Sequence, residues 1–496
     1  MMTMPKLPCF PHSSLAAARH LLLVGAGLWL SACGGGGGGG APAATAPATT
    51  LSISASSASV VLGQAVTLSW RAANPGDSNC TASGAWSGSV ATSGSLAVTP
   101  PSAGTSTYTL TCSGVANSAS VTATVGPVAN IAALVVDNGP AAASGVLNVP
   151  YVSVTLCRPG TTICQTIDHV MVDTGSYGLR VLTAIDPALN LAAVNTPSGL
   201  PAAECAQFVS GYAWGALRLA DVRIGGELAA GIPVHLMNDA NFTTQAPADC
   251  RSSGGNLGTV AALGANGILG VGVLRQDCGD TCANGAQGAA YYACNGAVCS
   301  PSRMPLAQQV SNPVAAFAVN NNGVILLLPS VPAGGLTSAN GSLIFGIGTQ
   351  ANNRIGTETV YAANAAGNFS TTYKGRVLSA SFLDSGSNGI YFGDASLRAC
   401  STSVEFYCPL VPLTVSAVTG AYDGSASGAV NVTIENVDLL GASIKAASVG
   451  GNNSSGSSVI DSNAFDWGLP FFFGRRVFIG LEGTISPSGV GPYWAY

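Results

Sequence analysis

Between about Leu51 and Val125 apolar and polar residues alternate, as in Ala65-Val66-Thr67-Leu68-Ser69-Trp70 and Thr107-Tyr108-Thr109-Leu110-Thr111-Cys112. A period of two sends successive side chains to opposite faces of an extended chain, so these stretches predict half-buried strands separated by turn residues. From about Ala129 to Tyr496 a longer strand-and-turn region follows, with little of the 3.6-residue periodicity of an amphipathic helix. Near the N-terminus the run from Leu21 to Leu30 is apolar, but its ten residues fall short of the roughly 20 needed to span a bilayer. With Lys6 and Arg19 ahead of it, the run reads as a secretory signal.

Composition narrows the class. The 496 residues are 47% hydrophobic and only 8% charged, with 64 Gly and 27 Pro, which excludes coiled coils and charged disordered tails and favours strands and turns. The length suggests about three units. An all-β chain is expected, with Trp70, Cys80 and Cys112 giving residues 51–126 the look of a small immunoglobulin-like sandwich carrying one bridge, although the usual order Cys, Trp, Cys is not kept. That module carries no chemistry and reads as a spacer, with specific binding as the alternative. Outside Lys6 and Arg19 the chain has 15 basic against 22 acidic residues, and an acidic surface argues against nucleic acid as a partner.

Leu30-Ser31-Ala32-Cys33 resembles a bacterial lipobox. The resemblance implies a signal peptide over 1–32, a lipidated Cys33 and, since Gly34 offers no inner-membrane retention signal, attachment to the outer membrane facing the periplasm or the cell surface. A soluble exported protein is the alternative. The Gly/Ala/Pro-rich stretch 33–50 cannot bury a core and is expected to be a tether. Twelve further cysteines remain, Cys80, Cys112, Cys157, Cys164, Cys205, Cys250, Cys278, Cys282, Cys294, Cys299, Cys400 and Cys408, an even number that in an exported chain reads as disulfides. Cys278, Cys282, Cys294 and Cys299 are expected to form two bridges, the alternative being one zinc held by four thiolates.

An internal repeat carries the candidate chemistry. Val170-Met171-Val172 leads into Asp173-Thr174-Gly175-Ser176-Tyr177-Gly178, and Phe382-Leu383 leads into Asp384-Ser385-Gly386-Ser387-Asn388-Gly389. Each is followed by an apolar pair and a glycine, Ile268-Leu269-Gly270 after the first and Phe472-Phe473-Gly474 after the second, so two related lobes are indicated over residues 129–496. A lone carboxylate is a poor base for water, because its unperturbed pKa is about 3.9. Two carboxyls pressed together cannot both ionise, and the pair shares one proton, so one member can take a proton from water while the other donates to a carbonyl. The glycines Gly175 and Gly386 permit tight turns, and the hydroxyls of Thr174, Ser176, Ser385 and Ser387 can orient the carboxyls.

These loops, with Asn266-Gly267-Ile268-Leu269-Gly270 and Gly341-Ser342-Leu343-Ile344-Phe345-Gly346, resemble the pepsin-like aspartic peptidases, and the whole chain resembles a family of Gram-negative lipoproteins classed as a domain of unknown function. The first resemblance implies a two-lobed pepsin-like β domain, an aspartic endopeptidase acting on a peptide or protein substrate, Asp173 and Asp384 as catalytic residues with oxygens about 2.5–3.5 Å apart, and a flap built from Phe208, Gly211, Tyr212 and Trp214. It implies no cofactor and no metal, and a monomer is expected. Two positions depart from the peptidase pattern: Arg180 stands where a flap-supporting tryptophan is usual, and Phe208 where the flap tyrosine is. Both partners have changed together, which leaves open a differently built flap or a catalytically silent peptide- or glycan-binding protein. A third reading has Asp173 and Asp384 only closing tight turns.

Other chemistries lack their residues. Outside the signal only His169 and His235 remain, too few for a three-histidine zinc site, and His169 reads as a strand residue rather than a base. No Gly-x-Ser-x-Gly and no phosphate-binding Gly-x-x-x-x-Gly-Lys occurs.

Overall fold

Alternation becomes burial in the strand Val66–Ala73, where Val66, Leu68, Trp70 and Ala72 are buried and the residues between them exposed. The computed structural model describes residues 50–496, apart from 62–64, 74–78, 99, 101–103, 114, 116–117, 127–129, 144, 183, 238, 240–241, 253, 287–289, 442 and 454–461. The expected signal peptide, Cys33 and nearly all of the tether lie outside the described residues. Among the described residues no helix is long and apolar enough to cross a membrane.

The all-β expectation holds. Residues 50–126 form a three-stranded and a five-stranded sheet, and Val66, Leu68 and Trp70 of the first pack with Tyr108, Leu110 and Ala123 of the second in one core. The sandwich differs from the immunoglobulin pattern in its bridge. Cys80 and Cys112 are register partners on adjacent strands of one sheet, 4.0 Å apart at Cα, whereas facing sheets lie about 10 Å apart.

In residues 131–496 the sequence repeat becomes a repeat of topology. Strand Cys164–Asp173 runs parallel to Gly267–Val271, with Asp173 opposite Gly270, and Tyr177–Val181 flanks the latter in antiparallel register. In the second half Arg376–Asp384 runs parallel to Asp466–Gly468, with Asp384 opposite Gly468, and Ile390–Tyr391 flanks it. The antiparallel partners repeat too: Pro150–Cys157 lies beside the first Asp strand and Phe369–Tyr373 beside the second. Strands Ile131–Val136, Ala339–Phe345, Gly323–Leu327 and Arg476–Gly480 form a continuous antiparallel run that joins the first lobe's sheet through Ile131–Val136.

The register corrects one expectation. The second lobe's counterpart of Ile268-Leu269-Gly270 is Asp466-Trp467-Gly468, not Phe472-Phe473-Gly474, which lies six residues further on, with Gly474 against Ser330. The physical requirement explains the two true glycines. A Cβ on Gly270 would sit 2.7 Å from the backbone carbon of Ser176, and one on Gly468 would sit 2.7 Å from the backbone oxygen of Ser387. The Asp loop crosses directly over each strand, and only glycine lets it do so. Gly468→Ala is therefore expected to destabilise the fold by about 3 kcal/mol or more, since backbone must shift. Denaturant unfolding checks this, and a loss under about 1 kcal/mol would reject the assignment.

Each lobe has apolar residues beneath its Asp loop. In the first, Val154, Val172, Leu179 and Leu269 are buried, and in the second Phe392, Phe465 and Trp467 stack with centroids 4.8 and 4.3 Å apart. The indole nitrogen of Trp467 donates to Thr371 Oγ1 at 3.0 Å, satisfying the polar atom that burial would otherwise leave costly.

Candidate active site

The two loops meet and bind each other through their second residues. The Thr174 amide donates to Ser385 Oγ at 3.1 Å, and the Ser385 amide donates to Thr174 Oγ1 at 2.9 Å. Each hydroxyl then donates across to the main chain of the opposite strand, Thr174 Oγ1 to the Leu383 carbonyl at 2.8 Å and Ser385 Oγ to the Val172 carbonyl at 2.7 Å. All four bonds are buried, and together they lock the strands that carry the two Asp residues.

The carboxyls occupy equivalent cradles. The Gly175 amide donates to Asp173 Oδ1 and the Gly386 amide to Asp384 Oδ1, both at 2.8 Å. Ser176 Oγ donates to Asp173 Oδ2 at 2.5 Å, and Ser387 Oγ lies 2.9 Å from Asp384 Oδ2. A Cβ on Gly386 would stand 2.8 Å from Asp173 Oδ1 and 3.1 Å from Asp384 Oδ1, and one on Gly175 would stand 2.7 Å from Asp384 Cγ. Each carboxyl thus rests against the other loop's glycine, and the two face one another across the loops. Burial, and then the neighbouring Asp173, push the Asp384 pKa well above the usual carboxylate range, while Ser387 and the Gly386 amide pull the other way.

Both carboxyls open into a cleft of about 1190 Å³. The hairpin of Ala202–Phe208 and Gly211–Ile224 reaches it with Phe208, Val209 and Ser210 on the lining. Phe208 packs under Arg180, whose guanidinium carbon lies 5.8 Å from the ring centroid. The two positions that depart from the peptidase pattern are therefore neighbours in space. The other expected flap residues point elsewhere: Tyr212 is buried with Cys205 and Cys250, and Trp214 packs edge-on to Tyr292 and donates to the Thr244 carbonyl. Alternation decides this, because Tyr212 and Trp214 share one face of the hairpin and Phe208 lies on the other. Gly211 pairs with Phe208 at the hairpin end, where a Cβ would strike the Gly255 backbone.

Two features escape a reading of the motifs. One is a buried charge cluster on the first lobe's side of the cleft. Arg180 bonds Glu204 at 2.5 Å and Asp277 at 3.1 Å, His235 lies 3.0 Å from Glu204, and Tyr291 donates to Asp277 at 2.6 Å. Burial alone would raise Glu204, but Arg180 and His235 outweigh it and leave the carboxyl below its usual range, whereas burial and Glu204 hold Asp277 above it. The other is Asp466, 1% exposed and lying 2.6 Å from Ser387 Oγ. The signal for it was a charged residue inside the apolar run from Ala464 to Leu469.

The twelve cysteines pair as Cys80–Cys112, Cys157–Cys164, Cys205–Cys250, Cys278–Cys282, Cys294–Cys299 and Cys400–Cys408. The four of 278–299 thus form two bridges and offer no thiolates to zinc. His169 sits between Asp168 and Asp137, at 2.9 and 3.3 Å, with φ of 47° at a break in the strand register.

Residues 126–496 match the family described as "Protein of unknown function (DUF3443)", and the chain belongs to that family. No curated protein matches the sequence. Among solved structures, an aspartic proteinase from Irpex lacteus aligns over 74% of this chain and 96% of its own, at 15% identity and a TM-score of 0.42. That score is too low to bear on function.

Proposed function

We propose that the protein is an aspartic endopeptidase with Asp173 and Asp384 as its catalytic pair and a peptide or protein as substrate. The observation that carries this is the meeting of two equivalent, glycine-cradled carboxyls, each against the other loop's glycine, at the floor of one cleft. With one proton between them, one carboxylate takes a proton from an attacking water while the other donates its proton to the oxygen of the scissile carbonyl. The resulting tetrahedral carbon carries two hydroxyls; as its C–N bond breaks, the carboxyl that took the water's proton passes it to the leaving amine, and one hydroxyl returns its proton to the other carboxylate while the carbonyl reforms. The protein's own residues supply the fixed dipoles: the Gly175 and Gly386 amides and the Ser176 hydroxyl hold the carboxyls in place through the cycle. The test is cleavage of a peptide library between pH 3 and 7, with and without a statine-type inhibitor. Inhibitor-sensitive cleavage on the acidic side of neutrality supports the reading, and an optimum above pH 8 sinks it.

A second reading, a silent binder of peptide or glycan, is favoured by Phe208, which places a ring without a hydroxyl over the cleft. Binding of cleft ligands without turnover separates it from the first.

Attachment to the outer membrane through a lipidated Cys33 belongs to the same proposal and rests on Leu30-Ser31-Ala32-Cys33. Cys33→Ala is expected to leave an uncleaved or mislocalised precursor, because several acyl chains together give stable anchoring. Membrane fractionation decides it: a Cys33→Ala protein of mature size still in the membrane fraction would refute the anchor.

A further inference from the structure

Asp466 stands where the first lobe has Ile268. The register makes the equivalence: Ile268 lies opposite Arg180 on the flanking strand, and Asp466 lies opposite Tyr391. Its Oδ2 is 2.6 Å from Ser387 Oγ, which is itself 2.9 Å from Asp384 Oδ2. A serine hydroxyl has one proton, so it donates to only one of these two carboxyls. The other must either bring its own proton or face a lone pair. Asp466 Oδ1 has no hydrogen-bond partner among the described residues, and Asp466 contributes to the cleft lining.

We propose that Asp466 is a third carboxyl of the site, a positioning residue that sets the direction of the Ser387 hydroxyl and with it the hold of Asp384 on the shared proton. When Asp466 is protonated it donates to Ser387, and Ser387 donates to Asp384, so the chain of bonds runs toward the pair. When Asp466 is ionised it takes the Ser387 proton for itself and adds a third negative charge beside the pair. Among the described residues the titratable groups facing it are Asp384 and Asp173 from the loops and Tyr391 from the flanking strand, with Glu405 beyond Tyr391, and none of these is a cation. Burial, and after it the charge of Asp384, raise the Asp466 pKa well above the ordinary range, as burial and Asp173 do for Asp384, so Asp466 changes state on the alkaline side alongside the pair rather than far below it.

This inference rests on the aspartic-peptidase reading only for its activity readout. An ionised Asp466 repels further charge, so the pair keeps its last proton to higher pH than it would alone. Asp466→Asn keeps a donor to Ser387 and removes the charge, and Asp466→Ile restores the first lobe's residue. Both are expected to move the alkaline limb of the pH–rate profile down by about one unit and leave the acid limb in place. A uniform fall in rate across pH, or a profile that superimposes on the wild type, would overturn the proposal. Carbon-13 NMR of Asp-labelled protein reads the same coupling without catalysis. The carboxyl transitions of the pair are expected to drop by about one unit in both variants, and unmoved transitions would reject the role of Asp466. Absence of cleavage in the wild type with a shifted titration would reject the peptidase reading alone.

Discussion

Asp173→Asn and Asp384→Asn are each expected to reduce peptide cleavage by about a thousandfold or more, with the fold retained. Asparagine matches aspartate in shape and keeps a bond to the glycine amide, so the cradles of Gly175 and Gly386 survive. What it removes is the ability to exchange a proton, and with one carboxyl left the pair can no longer act as acid and base in one step. The pH dependence follows from the raised pKa of Asp384. Below the raised value Asp384 keeps its proton and can act as the acid, and as pH rises through that value the proton leaves and activity falls. Stability has the same sign. Asp384 and Asp466 hold protons in the folded state at pH values where the unfolded chain releases them, so their contribution is complete below about pH 4 and is lost as pH rises through the folded-state values. Retained cleavage in either variant, measured on a peptide cut by the wild type, would sink the mechanism.

The parts of this site that were legible in the sequence are those that backbone geometry forces to be local. Asp173-Thr174-Gly175-Ser176 and its second copy are readable because the carboxyl, its amide donor and its hydroxyl donor all lie within four residues. Gly270 was readable because its lobe keeps the apolar-apolar-glycine pattern. Gly468 was not, because the residue two before it is Asp466 and because Phe472-Phe473-Gly474 imitates the pattern six residues later. Only the parallel pairing of Asp384 with Gly468 separates the two. The charge cluster was hidden for another reason: Arg180 reaches Glu204 24 residues away and Asp277 97 residues away, and neither spacing has a local signature. The flap shows a failure of parity rather than of distance. Tyr212 and Trp214 lie near the right place in the chain, but the two-residue period turns them to the face opposite Phe208.

Thr174→Val is expected to destabilise the protein by about 2–5 kcal/mol and to lower cleavage with it. Valine has nearly the volume of threonine, so no cavity forms, and the loss isolates the hydroxyl. That oxygen accepts from the Ser385 amide and donates to the Leu383 carbonyl. Without it, two buried main-chain groups on the strand carrying Asp384 lose their partners, each at about 1–3 kcal/mol. Ser385→Ala makes the mirror change for the Thr174 amide and the Val172 carbonyl, and a similar loss is expected. Thr174→Ser keeps the oxygen and is expected to recover most of the stability. Ser176→Ala is the control, since Ser176 bonds only the carboxyl of its own loop, at a site open to the cleft, and bridges nothing between lobes. Denaturant unfolding of the four variants distinguishes a bond that joins the lobes from one that merely orients an acid. Thr174→Val within about 0.5 kcal/mol of wild type would show that the two Asp strands are held together by packing rather than by this exchange of hydroxyls.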